Sequence, residues 1–212
     1  MAMPAWVSEL GVASSVIIAT VAIWGERIRA ALFRADLRLG LAKDDGERAT
    51  VVQTQALSGS TSETQILSAR YYRLRVTNRA RYPAAHEVEV LLTQLDKRGP
   101  DGRPQPEYKG ALPLTWQHQS LYSKTRTIGR TTIADVDLLF VCPDFVRLTP
   151  MLDPLNFATT MRGEQHFWVT VVARGLDAES KPLRLKVDWD GNWALGDTEM
   201  LGHFKVSIVQ GA

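Results

Sequence analysis

The alternation of apolar and polar residues after about position 37 predicts a protein built mainly from β-strands. In the segment Ala69–Thr77, Tyr72, Leu74 and Val76 alternate with polar neighbours, which is the period of a half-buried strand. The same pattern predicts further strands near Leu37–Ala42, Thr50–Leu57, Glu87–Leu95, Leu114–Gln119, Thr131–Val141, Gln165–Ala173, Leu183–Trp189 and Gly202–Val209. A turn from Asn78 to Pro83 is expected to join two of them, and a helical turn is expected near Asp197–Leu201. Many short strands at fairly regular spacing predict an antiparallel β-sandwich or barrel.

Two stretches, Asp96–Pro113 and Pro143–Gly163, interrupt this pattern. The first holds Pro100, Pro104, Pro106 and Pro113 with three glycines, and such a composition excludes a central strand or a helix. Long loops on a rigid sheet scaffold often carry binding residues, so both stretches are candidate binding loops.

The N-terminal segment follows a different pattern, because no charged residue lies between Leu10 and Trp24. A helix from Trp6 to Trp24 rises about 28 Å, close to the hydrocarbon thickness of a bilayer, and the two tryptophans would lie at its two interfaces. We therefore predict one transmembrane helix over residues 1–25. The alternatives are a cleaved signal peptide, which needs positive charge before its apolar core, and a helix buried in a globular core.

The positive charges follow the apolar run, at Arg27, Arg29, Arg34 and Arg38. Arginines near a membrane-spanning helix stay in the cytoplasm, so the pattern predicts a single-pass membrane protein with its N-terminus outside and its C-terminal domain in the cytoplasm. The segment from Glu26 to Leu39 is predicted to continue as a helix, of which residues 26–36 form a juxtamembrane amphipathic segment. Residues 37–212 then form a single β-sandwich domain.

Small residues at Gly11, Ser15 and Ala19 share one face of the predicted membrane helix. This spacing permits close helix approach and hence a homo-oligomer, although small residues are common in membrane helices without it.

Composition narrows the functional classes. A net charge of +2 with 23% charged residues argues against a nucleic-acid-binding surface, which would show a strongly basic stripe. Cys142 is the only cysteine, so no intramolecular disulfide can form, and its apolar neighbours predict a buried thiol.

No local motif supports catalysis or a bound cofactor. Asp188, Asp190, Asn192 and Glu199 have the oxygen spacing of a calcium loop, but Trp193 occupies the position that needs glycine. A hairpin turn at Asp190-Gly191 explains the same residues better. The four histidines lack metal-ligand spacing, and no phosphate-binding loop or nucleophile elbow occurs. We therefore predict a non-enzymatic protein with no metal and no cofactor.

Arginines and tyrosines are densest around the Ala69–Thr77 strand. Tyr71, Arg73, Arg75, Arg79 and Arg81 are the candidate ligand-binding residues, because guanidinium groups bind phosphate or carboxylate in a bidentate manner. The alternative is a solvated face on which Arg73 and Arg75 pair with Glu87 and Glu89 of the next strand. Asp135 and Asp137 are expected on a solvated outer face, opposite Val136, Leu138 and Phe140.

The run Tyr72–Asn78 (YRLRVTN), followed by Ala84–Val90 (AAHEVEV), resembles the paired strands of bacterial immunoglobulin-like modules. Together with Leu185–Trp193 (LKVDWDGNW), the layout resembles bacterial single-pass membrane proteins with a C-terminal immunoglobulin-like β-sandwich. The cysteine–tryptophan–cysteine framework of antibody domains is absent. The resemblance implies a binding or assembly module with no catalytic residues, located in the inner (plasma) membrane of a bacterium.

We accordingly expect a membrane-tethered, non-enzymatic binding or scaffold module with a protein partner at or near the bilayer. The alternative is a ligand-gated membrane effector that senses an anionic small molecule, such as a nucleotide second messenger in anti-phage defence.

Overall fold

A computed structural model describes residues 25, 34–56, 62–80, 83–118 and 123–209. These residues form twelve strands and one short helix. In chain order the elements are β1 (Leu37–Leu41), β2 (Glu47–Ala56), β3 (Ser62–Asn78), β4 (Ala85–Arg98), β5 (Pro104–Pro113), β6 (Arg126–Ile128), β7 (Ala134–Cys142), β8 (Phe145–Leu148), β9 (Thr160–Arg162), β10 (Gln165–Arg174), β11 (Leu183–Trp189), α1 (Asp197–His203) and β12 (Phe204–Ile208).

The strands form two antiparallel sheets. Sheet 1 has the order β1–β3–β7–β8–β9, and β2 continues its edge by pairing with the N-terminal part of β3. Sheet 2 has the order β12–β11–β10–β4–β5, and β6 pairs with the start of β4. The prediction of a mainly β protein with antiparallel sheets is confirmed.

The inner faces of the two sheets share one hydrophobic core. Leu74 and Val136 from sheet 1 and Val90 and Val169 from sheet 2 are fully buried in it. The rings of Tyr72 on β3 and Phe204 on β12 lie 4.9 Å apart between centroids, which joins the sheets directly. Because each buried aliphatic side chain contributes about 1.5–3 kcal/mol, this shared core is the main source of stability.

The predicted hairpin between β3 and β4 is wrong, because these strands belong to different sheets. Buried Asn78 ends β3 and holds the crossing between the sheets. Its Oδ1 accepts the backbone N–H groups of Asp36 and Ala80, and its Nδ2 donates to the carbonyl oxygens of Pro83 and Ile128. The side chain thus replaces backbone pairing where the chain leaves sheet 1.

The two proline-rich stretches are not wholly irregular. The first contains β5, an exposed strand that pairs with β4. The prediction that this stretch is not a central strand is correct, but the prediction that it is a loop is wrong. The second contains the short strands β8 and β9. Conversely, the strand predicted at Leu114–Gln119 is reduced to isolated bridges at Leu114 and Trp116, because this segment passes from sheet 2 to sheet 1.

The predicted juxtamembrane helix does not extend to Leu39. Residues 34–36 are not helical, Ala35 is buried in the shared core, and β1 begins at Leu37. Apart from Gly25, the predicted anchor over residues 1–25 lies outside the described residues, as do Arg27 and Arg29. Within the described part of the chain, no helix has the length and apolar character needed to cross a membrane.

A β-bulge in β7 changes which side chains face the core. Tyr72 pairs with Leu139 while Arg73 pairs with Asp137, so Leu138 is an extra residue on β7. Before the bulge Val136 faces the shared core, and after it Leu139 and Val141 do. Phe140 and Cys142 are consequently turned to the outer face of sheet 1.

Candidate functional site

The predicted ligand-binding residues Tyr71, Arg73 and Arg75 lie together on the outer face of β3, and we call them the basic face. Arg73 donates to Asp137 at 2.7 Å and also forms an ion pair with Glu47. Arg75 donates two hydrogen bonds of 3.0 Å to Asp135 in a bidentate pair. These carboxylates offset the two guanidinium charges, so the basic face offers little net attraction for an anion.

The arginines pair with carboxylates on a neighbouring strand, as the alternative expected, but the carboxylates are not those of Glu87 and Glu89. Glu87 and Glu89 lie on β4 in the other sheet, whereas Asp135 and Asp137 on β7 are the cross-strand neighbours. The two aspartates lie on the outer face as expected, opposite buried Val136 and Leu138. The placement of Phe140 on the opposite face was wrong, because the bulge in β7 turns it to the outer face.

Arg79, another predicted residue of this group, is not brought to the basic face. The backbone N–H of Arg79 donates to the carbonyl of Asp36, and its side chain is exposed. Arg81 lies outside the described residues. The Arg34 side chain, predicted to flank the membrane, donates instead to the backbone carbonyl of Asp177 in the sandwich.

A second apolar cluster covers the outer face next to the basic face. It consists of buried Ala69, Phe140, Cys142 and Phe145, with Val51, Leu67 and Tyr71 packed against them, and we call it the arm cluster. The Tyr71 and Phe140 rings stack with centroids 5.1 Å apart. Burial, followed by the nearby Asp137 carboxylate, raises the pKa of Tyr71. Burial likewise raises the pKa of Cys142 to about 11, which confirms the expected buried thiol.

The arm cluster is held by a long hairpin that we call the arm, namely β2 and residues 62–69 of β3. Only Arg70–Val76 of β3 pair with β7, so the arm extends beyond the body of sheet 1. Val51 and Val52 of the arm line a groove together with Phe145 and Arg147 of β8 and Thr160 and Arg162 of β9. Since β3 and β7 separate β2 from β8 within the sheet, the arm curves over its outer face.

The arm also exposes apolar residues. Val52 and Ile66 are cross-strand partners and are 63% and 71% exposed. An exposed apolar pair next to a groove rimmed by Arg147 and Arg162 has the composition of a protein interface, where apolar, aromatic and arginine residues are enriched.

Sheet 2 carries a charged group that the sequence did not reveal. The two ring nitrogens of His166 lie 2.8 Å from Asp188 Oδ1 and 2.8 Å from Glu164 Oε1, and Lys186 pairs with the other oxygen of Asp188 at 2.9 Å. Burial acts to raise the pKa of Asp188, but the hydrogen bonds from Lys186 and His166 outweigh it and lower the pKa.

The calcium-loop spacing does not produce a metal centre in the described part of the chain, where no group of three or more candidate metal ligands converges. Asp190 Oδ1 accepts the backbone N–H of Asn192, and Gly191 has a φ of 85°, so a turn does form there. It is not the two-residue hairpin turn we expected, because the connection continues through α1 before β12 begins. The helical turn expected near Asp197–Leu201 is confirmed as α1.

The other site that sequence reasoning missed joins the root of the arm to α1. Arg70 is 2% exposed, and its guanidinium donates to the carbonyl of Asp45 at 2.7 Å and to Asp197 Oδ1 at 2.6 Å. Arg48 donates to the same Asp197 oxygen at 2.7 Å. The hydrogen bond from Arg48, and next that from Arg70, lowers the pKa of Asp197.

Comparison of the chain with models of known protein families, with curated proteins and with solved structures finds no match.

Proposed function

We propose that this protein is a membrane-tethered, non-enzymatic binding or scaffold module whose β-sandwich faces the cytoplasm. The observation that carries the proposal is the arm, which presents the exposed Val52–Ile66 pair beside the arginine-rimmed groove. The pattern of the N-terminal sequence supports the tether and its orientation.

The geometry favours a protein partner at the arm over a small anion bound at the basic face. Arg73 and Arg75 are already paired with carboxylates, so an incoming anion would have to displace them. The ligand-gated alternative therefore gains no support from this surface.

The partner proposed for the arm is a protein segment that combines apolar side chains with acidic ones. Val51 and Phe145 supply the apolar floor of the groove, and exposed Val52 lies at its edge. Arg162 is exposed and has no ion-pair partner among the described residues, and Arg147 pairs with exposed Asp153. Acidic residues on the partner would complement these two guanidinium groups.

An immunoglobulin-like domain is the fold class we propose. The neighbouring order β4–β10–β11 in sheet 2 corresponds to the C–F–G order of immunoglobulin sheets, and β3 and β4 lie in opposite sheets as strands B and C do. One departure is that β8, the outer neighbour of β7, follows β7 in the chain, whereas strand D precedes strand E.

The proposal is tested by cross-linking the full chain in its native membrane and comparing Ile66→Lys with the control Leu176→Lys. Leu176 is 65% exposed and lies in the β10–β11 connection, so the two variants introduce the same charge at similar exposure. We expect Ile66→Lys to abolish a cross-linked partner band that Leu176→Lys retains. Equal bands in both variants would refute the arm as the binding surface, and a band of the chain with itself would identify a second copy as the occupant.

A further inference from the structure

The pocket between the arm root and the β11–α1 connection, which we call the arginine pocket, has room for about 130 Å³. It is lined by Arg48, Ala49, Ser68, Ala69, Arg70, Trp193 and Leu195. The apolar lining comes from two alanines, one leucine and the half-buried Trp193 indole, and the polar lining is dominated by the two arginines. Such a mixture suits a ligand with an apolar body and one charged group.

The charge balance of the arginine pocket defines the sign of that group. Arg48 and Arg70 bring two positive charges, whereas both use a single oxygen of one carboxylate, that of Asp197. The other contact of Arg70 is a neutral backbone carbonyl, that of Asp45. Counted over these ion pairs alone, one positive charge is left at the pocket and favours a monoanion, and the nearby exposed Asp45 carboxylate acts against a more highly charged anion.

A buried donor in the same place points to a ligand. Arg70 Nε is fully buried and has no hydrogen-bond partner within the part of the chain that the structure describes. A buried donor without a partner costs about 1–3 kcal/mol, and an acceptor that reached Nε from the pocket would recover that cost.

We propose that the arginine pocket binds a small carboxylic acid, whose carboxylate contacts Arg48 and Arg70 while its apolar body lies against Trp193. A carboxylate carries one negative charge and matches the planar guanidinium group in a bidentate manner. A phosphate monoester carries between about 1.5 and 2 charges at neutral pH and exceeds the charge left by Asp197. This site is separate from the basic face and from the arm groove.

The test uses the full chain in lipid nanodiscs and follows the Trp193 indole NMR signal, assigned with Trp193→Phe, during titration with benzoate and with inorganic phosphate. We expect a saturable shift with benzoate and a weaker one with phosphate. Arg48→Gln should weaken benzoate binding about tenfold or more, because it removes a charge-assisted hydrogen bond. The matched control is Arg38→Gln, which removes an exposed arginine paired with Asp36 and should leave the affinity unchanged.

A second variant keeps the proposal testable should buried Arg70 prove necessary for folding. Asp197→Asn removes the exposed carboxylate that offsets the arginines and leaves two positive charges at the pocket. We expect it to strengthen anion binding and to reverse the preference in favour of phosphate. The proposal is overturned by the lack of a saturable benzoate shift, by equal affinities of Arg48→Gln and Arg38→Gln, or by an unchanged preference in Asp197→Asn.

Discussion

Replacing Asn78 with alanine is expected to lower the free energy of unfolding by about 3 kcal/mol. The Asn78 side chain is 2% exposed and makes four hydrogen bonds of 3.0–3.2 Å, which join β3 to the segments before β1 and after β3 and to the last residue of β6. Each such bond contributes a net 0.5–1.5 kcal/mol or so, and the sum falls toward its lower half because partly buried N–H groups can regain water.

Asn78→Asp separates the hydrogen-bonding role of this residue from its volume. The aspartate keeps an acceptor for the N–H groups of Asp36 and Ala80 but, when ionised, places an oxygen against the carbonyls of Pro83 and Ile128. We expect it to be at least as destabilising as alanine at neutral pH, with partial recovery when the carboxyl group is protonated and can donate.

The assay is urea unfolding of the full chain in detergent micelles, followed by tryptophan fluorescence and compared with a melting curve. A loss of about 3 kcal/mol corresponds to a decrease of roughly 6–12 °C in Tm for a domain of this size. Asn156→Ala is the control, because Asn156 is exposed and should change stability by less than about 0.5 kcal/mol. A loss below about 1 kcal/mol for Asn78→Ala would refute the reasoning that this side chain holds the crossing between the sheets.

Two further predictions concern a turn and a charged cluster. Gly46→Ala should cost about 2 kcal/mol or more, because Gly46 has a φ of 68° and a Cβ would lie 2.9 Å from Arg70 Cγ and from the Tyr71 carbonyl. Gly163→Ala should cost less in the same unfolding assay, since its φ of 69° is similar but no atom lies within 4 Å; equal losses would contradict the clash. The lowered pKa of Asp188 means that its ion pairs stabilise the fold above its ordinary pKa of 3.8 and that this contribution is lost as the pH falls through the folded value. The stability difference between the wild type and Asp188→Asn should therefore shrink as the pH falls from about 5 to below about 4, and a difference that grows over this range would refute the assignment.

The long strands could be predicted from the sequence because their alternation persists over many residues. β10 and β11 are found where the pattern places them, and β7 is found within one or a few residues of its predicted bounds. Strands of three or four residues, such as β6, β8 and β9, are too short to show a period. β5 escapes prediction because Pro104, Pro106 and Pro113 lie on an outer strand, where a missing N–H need not interrupt a central ladder.

The pairing of strands is harder to predict from the sequence than their position in the chain. Neighbouring strands in sequence usually pair, but β3 and β4 do not, because the side chain of Asn78 stabilises a crossing that local periodicity cannot reveal. The extra residue at Leu138 is equally invisible, since an uninterrupted apolar run from Leu138 to Cys142 fits either face.

For the candidate sites, too, the residue types along one strand could be predicted from the sequence, but their contacts in the fold could not. Clustering of Tyr71, Arg73 and Arg75 along one strand was visible, whereas their neutralisation by Asp135 and Asp137 depends on the pairing of β3 with β7. The arginine pocket depends on Arg48 and Asp197, which are 149 positions apart. No sequence pattern relates residues at that separation, so only the fold brings them together.

Because of its bulge, β7 contributes to two hydrophobic clusters. Val136, Leu139 and Val141 pack in the shared core, whereas Phe140 and Cys142 pack in the arm cluster. The arm cluster contains few buried residues, and β2 pairs only with β3. The arm is therefore a region of lower local stability than the sandwich that supports it. Amide hydrogens of the arm should then exchange by local opening, whereas those of β10 and β4 exchange only on global unfolding. If the arm opens, a partner that binds it could contact Phe140 and Phe145 while the shared core stays packed. The surface that can rearrange is thus separate from the core that stabilises the fold.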